Sequence, residues 1–317
     1  MGRILITGGA GFIGHNTALI ALEKGHDVVI IDNLSTGLLS NAQLVVEAGG
    51  VFIDSDIRNG IEISKAVKDV DAIIHLPAQV SVPASFEDSD ENYSVNVHGT
   101  ELLLEQAKRS GIKRIVMASS AAVYGNVNQL PLVESSAGDV QSPYAESKYE
   151  NEAQILGARV DGMETLALRF FNVYGPRQNP NGAYAAVIPK FISLMVDGKS
   201  PTIFGDGSQT RDFVHVKDVA ELLLMICTIE WTEELSHVYN VATQTKVSLL
   251  DLVELIASTL SDRGVDEASL IPTFSTERRG DIKHSFASIE SIKKDLGWAP
   301  TITIDEGLIE LVNFQYS

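Results

Sequence analysis

The sequence predicts an α/β protein: a doubly wound parallel sheet joined to a smaller mixed α/β unit toward the C-terminus. Two patterns carry that expectation. Short β-branched runs alternate with amphipathic helical stretches through the first half, which is the signature of βαβ units. A glycine-rich turn, TGGAGFIG, directly follows the first of those runs and opens a helix. A length of 317 residues agrees with one large unit and one small one, and leaves enough chain to bury a substantial core.

Taken in order, RILIT reads as a strand, FIGHNTALIALEKG as a helix, VVIID as the second strand, AQLVVEAG as a helix and VFID as the third strand. A helix near Ile63 to Val70 and the strand AIIHL complete the first half-sheet. The pattern resumes with a long helix from Asn92 to Ser110, the strand RIVMAS, a helix from Tyr144 to Leu156 and the strand ETLALRF. Beyond Asn172 the texture changes to loops rich in Gly, Pro and Asn, as in YGPRQNPNGAY. The expected division is a dinucleotide-binding Rossmann domain over 1–170 and a substrate domain over 171–317. Residues 213–242 are expected to return to the first domain, because FVHVKDVAELLLMI again reads as strand then helix.

Hydrophobic residues make up 44% and charged residues 21% of the chain, as in an ordinary globular protein. No apolar run approaches the roughly 18 to 20 residues that span a bilayer, and the reading is a cytoplasmic protein with no membrane partner. The single cysteine, Cys227, lies in the apolar run LLLMICTI and reads as a buried thiol. A formal charge of −18 repels nucleic acid, so an anionic ligand must be met by local arginines.

Gly8, Gly11 and Gly14 fall at the strand–turn–helix junction, where a close backbone approach and a helix N-terminus suit a pyrophosphate. The plain alternative is an ordinary tight turn. Against it, the second strand ends at Asp32, placed to accept both ribose hydroxyls of a dinucleotide. That carboxylate repels a 2′-phosphate, and the next residues, Asn33, Leu34 and Ser35, supply no arginine for one, so the expected cofactor is NAD and not NADP.

Tyr144 and Lys148 in SPYAESK sit four apart and so share one helix face. A nearby ammonium and a cationic nicotinamide would favour the phenolate of a tyrosine whose ordinary pKa is near 10. A tyrosine and lysine at this spacing are usually structural when met alone. Here SSAAVYG, at the end of the preceding strand, adds Ser120 as a hydroxyl able to bridge Tyr144 and a substrate oxygen.

Together TGGAGFIG, SSAAVYG, YAESK, RFFNVYGPRQ and GDGSQTRDFVHVKDVA resemble the extended short-chain dehydrogenase/reductases, close to the UDP-glucose and UDP-N-acetylglucosamine 4-epimerases, over essentially the whole chain. The resemblance implies Ser120, Tyr144 and Lys148 as the catalytic set. It implies an NAD site of Gly8, Gly11, Phe12, Ile13, Gly14, Asp32, Asn33, Asp56, Ile57 and Asn96, with Tyr144 and Lys148 also touching the cofactor. On the substrate side it implies Ser81, Asn172, Gln178, Ala186, Val187, Arg211, Arg278 and Ser285, the two arginines gripping the diphosphate. The activity implied is a transient oxidation at C4 of a UDP-hexose, with Tyr144 taking the 4-hydroxyl proton, followed by return of the hydride to the other face. A homodimer paired through the helices 92–110 and 144–156 is implied as well. Pro77 departs from the family, which usually carries a small residue there.

Related dehydratases and UDP-glucuronate decarboxylases place acidic residues just after the catalytic hydroxyl, where this chain has Ala121 and Ala122. Eliminating water needs an added acid and base, which alanine cannot be. Ser285, four residues past Asp281, stands where many UDP-galactose epimerases carry a tyrosine, and leaves room for an N-acetyl group. The expected substrates are therefore UDP-N-acetylglucosamine and its galacto partner, then UDP-glucose and UDP-galactose. The alternatives are a UDP-glucuronate 4-epimerase, a dehydratase-type nucleotide-sugar enzyme and an NAD-binding protein without catalysis.

Overall fold

Alternating strand and helix in the first half builds one parallel sheet with helices on both faces. The computed structural model describes residues 2–76, 79, 81–127, 129–180, 186–277 and 283–315. Strand β1 (Arg3–Thr7) leads into helix α1 (Phe12–Glu23), β2 (Asp27–Asp32), α2 (Leu39–Glu47), β3 (Val51–Asp54), α3 (Gly60–Ala66) and β4 (Ala72–His75). Helices α4 (Val82–Glu87), α5 (Ser89–Tyr93) and α6 (Gly99–Arg109) precede β5 (Arg114–Ser120), α7 (Pro143–Val160), β6 (Glu164–Phe170) and β7 (Asn172–Tyr174). There follow α8 (Val187–Val196), β8 (Thr202–Phe204), β9 (Thr210–Arg211), β10 (Phe213–His215), α9 (Val216–Thr228) and β11 (Val238–Val241). The described chain closes with β12 (Val247–Ser248), α10 (Leu249–Leu260), β13 (Thr273–Ser275), α11 (Glu290–Leu296) and α12 (Ile304–Gln315).

The main sheet has seven parallel strands in the order β11-β6-β5-β4-β1-β2-β3. The chain winds outward from β1 to β3, then resumes at β4 on the other side of β1, so a crevice opens at the strand ends between β1 and β4. Alternation along β1 sends Ile4 and Ile6 into a core shared with α1 and α9, and Leu5 into a second core against α3, α6 and α7. A third core joins α8, α10 and α12. Strand β10 pairs with β7 in a two-stranded sheet of its own, while α9 packs on α1 and β11 hydrogen-bonds along β6 at the edge of the main sheet.

Two local departures from the periodicity have visible causes. The helix expected near Ile63 to Val70 starts and ends earlier, at Gly60–Ala66, because the Asn59 side chain caps it by accepting from Ile61 and Glu62 N–H. The long helix from Asn92 to Ser110 contains a π turn at Ser94–His98. There the Asn96 carbonyl accepts from the side chains of Thr100 and Asn151, which widens the ladder at that point.

Asp212 ties the small unit to the sheet. Its buried carboxylate accepts from Thr243 N–H and Oγ1, both at 2.7 Å, from Gln244 N–H at 3.0 Å and from Ala287 N–H at 3.4 Å. Asp212→Ala strands those donors, and the expected loss is roughly 3 kcal/mol of stability in urea unfolding. A loss near zero would mean that packing alone holds these segments.

Candidate active site at the carboxyl ends of the strands

The glycine turn is a matter of space. Gly8 has φ +66°, and a β-carbon on it would lie 2.2 Å from the Leu76 carbonyl oxygen. A β-carbon on Gly14 would lie 2.2 Å from the Gly8 carbonyl oxygen, so α1 can begin only this close to β1 with glycine at both places. Gly11 is the N-cap of α1 and offers no side chain, which leaves the first-turn N–H groups near Phe12 and Ile13 to the crevice. At the end of β2 the Asp32 carboxylate accepts from Ala10 N–H at 3.0 Å and Leu34 N–H at 2.8 Å. Burial pushes this carboxyl above the usual range, and the backbone donors oppose it.

Beside Asp32 a cavity of about 370 Å³ is lined by Gly8, Asn33, Ser55, Asp56 and Ile57 among others. Asn33 Nδ2 donates to Asp56 at 3.0 Å, and the Arg58 guanidinium beside Asp56 holds that carboxyl down to about 2. Arg58 was not singled out from the sequence. Its charge is committed to Asp56 at 2.8 Å and Glu91 at 2.7 Å. A cradle with no room for β-carbons, a free helix terminus and a carboxylate at the ribose position all fit a dinucleotide.

The candidate reactive groups stand at the end of β5 and the start of α7. Ser120 caps a short 3₁₀ turn, Ala121–Tyr124, its Oγ accepting from Ala122 N–H at 3.2 Å. Ser142 caps α7 and Pro143 occupies its first turn, so Tyr144 and Lys148 point inward from a firmly started helix. The Ser120 hydroxyl beside Tyr144 draws the phenol down, but burial is the larger effect and holds it above its ordinary value. The Lys148 Nζ stands 5.8 Å from the Tyr144 ring centre and donates to the Ala118 carbonyl at 3.1 Å. Burial brings this ammonium down to about 7. Phenolate formation therefore depends on a further positive charge in the crevice.

Asn96, in the π turn, is buried and donates to Ser147 Oγ at 3.0 Å and the Gln79 carbonyl at 3.3 Å, so it braces α7 next to Lys148. His75 lies behind it between Thr7 and Thr100 hydroxyls at 2.7 and 2.8 Å, and burial lowers it to about 3, which keeps it neutral.

Ser120 pairs with Phe170 in the sheet, two residues before Asn172. Asn172 in turn opens a cleft of about 1570 Å³ that Ala186, Val187 and Arg211 also line. Ser81 caps α4 by accepting from Ala84 N–H at 3.1 Å, and Pro83 of that helix faces the same cleft. Gln178 is not brought there: its Nε2 donates to the Val173 carbonyl at 3.2 Å and it lines a separate cavity with Leu38 and Phe314. Ser285 is nearly buried behind β9, its N–H donating to the Thr210 carbonyl at 3.1 Å, and does not line the cleft. Arg278, Asp281 and Pro77 lie outside the described residues. The cleft adds Lys190 and Phe204, which sequence reasoning missed. For Lys190 the available signal was its place one helical turn beyond Val187 on α8.

Among the described residues, no cluster of His, Cys, Asp and Glu could hold a metal ion, and no helix is long and apolar enough to cross a membrane. The model of the NAD dependent epimerase/dehydratase family matches residues 4–242. A Methanocaldococcus jannaschii protein provisionally named a UDP-glucose 4-epimerase is 40% identical over 314 residues, covering 98% of this chain and 97% of its own. A UDP-N-acetylglucosamine 4-epimerase from Methanobrevibacter ruminantium, in complex with UDP-N-acetylmuramic acid, superposes with a TM-score of 0.92 at 34% identity, covering 99% of this chain and 98% of that one. The UDP-glucose 4-epimerase of Thermus thermophilus, in complex with NAD, gives 0.85 at 31% identity and covers 99% of each chain. Matched by that model and aligned nearly end to end with these relatives, the chain belongs to the NAD-dependent epimerase/dehydratase family, and its cofactor is NAD.

Proposed function

We propose that this protein is a UDP-hexose 4-epimerase that inverts C4 by transient oxidation, preferring UDP-N-acetylglucosamine and its galacto partner to UDP-glucose. The observation that carries the reading is the buried Tyr144 with the Ser120 hydroxyl beside it and the Lys148 ammonium 5.8 Å from its ring, set between the glycine cradle and the cleft of Asn172 and Arg211. Bound NAD supplies a reversible hydride acceptor and a positive charge. Ser120 orients the 4-oxygen by hydrogen bonding, and Tyr144 removes its proton and later returns it. Arg211 at the cleft wall faces the diphosphate. Oxidation flattens C4, and a sugar anchored only by its diphosphate can present either face.

Ala121 and Ala122 favour this reaction over dehydration, because neither can serve as the added acid or base that expels water from the neighbouring carbons. The likeness to a UDP-N-acetylglucosamine 4-epimerase at a TM-score of 0.92 supports the acetylated substrate. The outer face of α7 supports a homodimer: Tyr149, Leu156 and Val160 form an exposed apolar stripe, with Val160 81% exposed.

Incubation with UDP-N-acetylglucosamine, followed by proton NMR of the sugar, is expected to show the 4-epimer, with slower conversion of UDP-glucose. Product from neither would remove the epimerase reading. Tyr144→Phe is expected to lower turnover at least about a thousandfold while NAD remains bound, measured by its absorbance in the purified protein. Unchanged turnover would refute the proton-transfer role.

A further inference from the structure

The inner face of α7 carries three polar side chains one turn apart, Tyr144, Lys148 and Glu152, which are 7%, 2% and 6% exposed. The first two belong to the proposed chemistry. Glu152 has no part in it, yet its carboxylate is held with unusual completeness. It accepts from Arg169 Nε at 2.9 Å, from a second Arg169 nitrogen at 2.7 Å and from Ser119 Oγ at 2.5 Å. Arg169 spends its remaining contacts on the Tyr124 hydroxyl at 2.9 Å and the Glu134 carbonyl at 2.7 Å. A buried ion pair adds little net stability, so its place one turn beyond a buried lysine calls for another account.

We propose that Glu152 is a positioning residue whose ionised carboxylate, clamped by Arg169 and Ser119, keeps the Lys148 side chain cationic beneath Tyr144. The inference rests on the reading of Lys148 as the cation under the reacting tyrosine. Taken out of water without an anion, an ammonium gives up its proton, and Glu152 is the charge that opposes burial at Lys148. The groups facing Lys148 from the neighbouring elements do not replace it. Tyr144 presents its ring 5.8 Å from the ammonium, His75 on β4 is neutral, and Arg169 on β6 turns its charge to Glu152. Arg169 has a reason to be there as well, since a lone carboxylate this deep would itself take a proton. Successive residues of β5 face opposite ways, so Ser119 fastens to Glu152 the strand end from which Ser120 reaches the site.

The test uses the purified NAD-containing protein with ¹³Cε-labelled lysines, the Lys148 resonance being assigned by its loss in Lys148→Arg. In Glu152→Gln the Lys148 titration midpoint is expected to fall by about one pH unit. A lysine needed as a cation loses function as pH rises through its pKa. The alkaline limb of kcat/KM therefore moves down with the midpoint, leaving roughly a tenth of wild-type activity at about pH 8.5. An unchanged midpoint, even with a lowered Tm, would overturn the inference and leave Glu152 a structural residue. Should Glu152→Gln fail to fold, Glu152→Gln with Arg169→Gln removes both charges and is read by the same two outcomes. The NMR titration needs no sugar. A shifted midpoint in a protein that epimerises nothing would therefore sustain this inference and refute the function proposed above.

Discussion

The approach of α1 to β1 is the constraint on which the rest of the site depends. At a separation where Gly14 meets the Gly8 carbonyl, the helix axis is aimed at the strand ends, and its N-terminus cannot drift from the crevice between β1 and β4. Asp32 reinforces the arrangement from the next strand, because one carboxylate oxygen is already bonded to Ala10 N–H inside the glycine turn. The group that fits the ribose position is thus also part of what holds the pyrophosphate position. A larger residue at Gly8 or Gly14 moves the turn, the helix terminus and the aspartate contact together.

Parallel topology then brings distant residues to the same edge without further design. Thr7, Asp32, His75 and Ser120 each end a strand of the main sheet, and Asn172 begins β7 just beyond β6. Electrostatics follow burial more than sequence spacing. Tyr144 and Lys148 are both moved toward neutrality by loss of water, the phenol upward and the ammonium downward. In the proposed reaction such a site is poorly charged for proton abstraction on its own and would gain that capacity when a cation enters beside the tyrosine.

The strand–helix alternation, the glycine turn, Asp32 and the Tyr144–Lys148 pair were legible because each is a local pattern whose geometry is fixed within a few residues. Ser120 was legible by adjacency to a strand end. What the sequence hid was long-range. Arg169 meets Glu152 across 17 residues, Tyr124 meets Asn240 across 116, and no spacing rule joins them. The π turn at Ser94–His98 depends on Asn151, which reaches back across 55 residues to the Asn96 carbonyl. Gln178 shows the opposite failure: it follows Asn172 closely in sequence, yet the chain turns at Arg177, which has a positive φ of 66°, and Gln178 enters a different cavity.

The consecutive pair Arg211 and Asp212 shows how binding and architecture are joined on the substrate side. Arg211 ends β9 and lines the cleft, while Asp212, in the step between β9 and β10, turns to the interior, where it holds Thr243, Gln244 and Ala287. Ala287 lies two residues from Ser285, and the Leu132 backbone brackets the same segment by donating to Phe286 and accepting from Ser288. Leu132 in turn lies on the loop that leaves the Ser120 turn. Arg211, Ser285 and the loop that leaves the Ser120 turn therefore hang on one hydrogen-bonded frame. In that frame a shift of the Ser285 segment pulls, through Leu132, on the loop that leaves the Ser120 turn, and the two segments move as one.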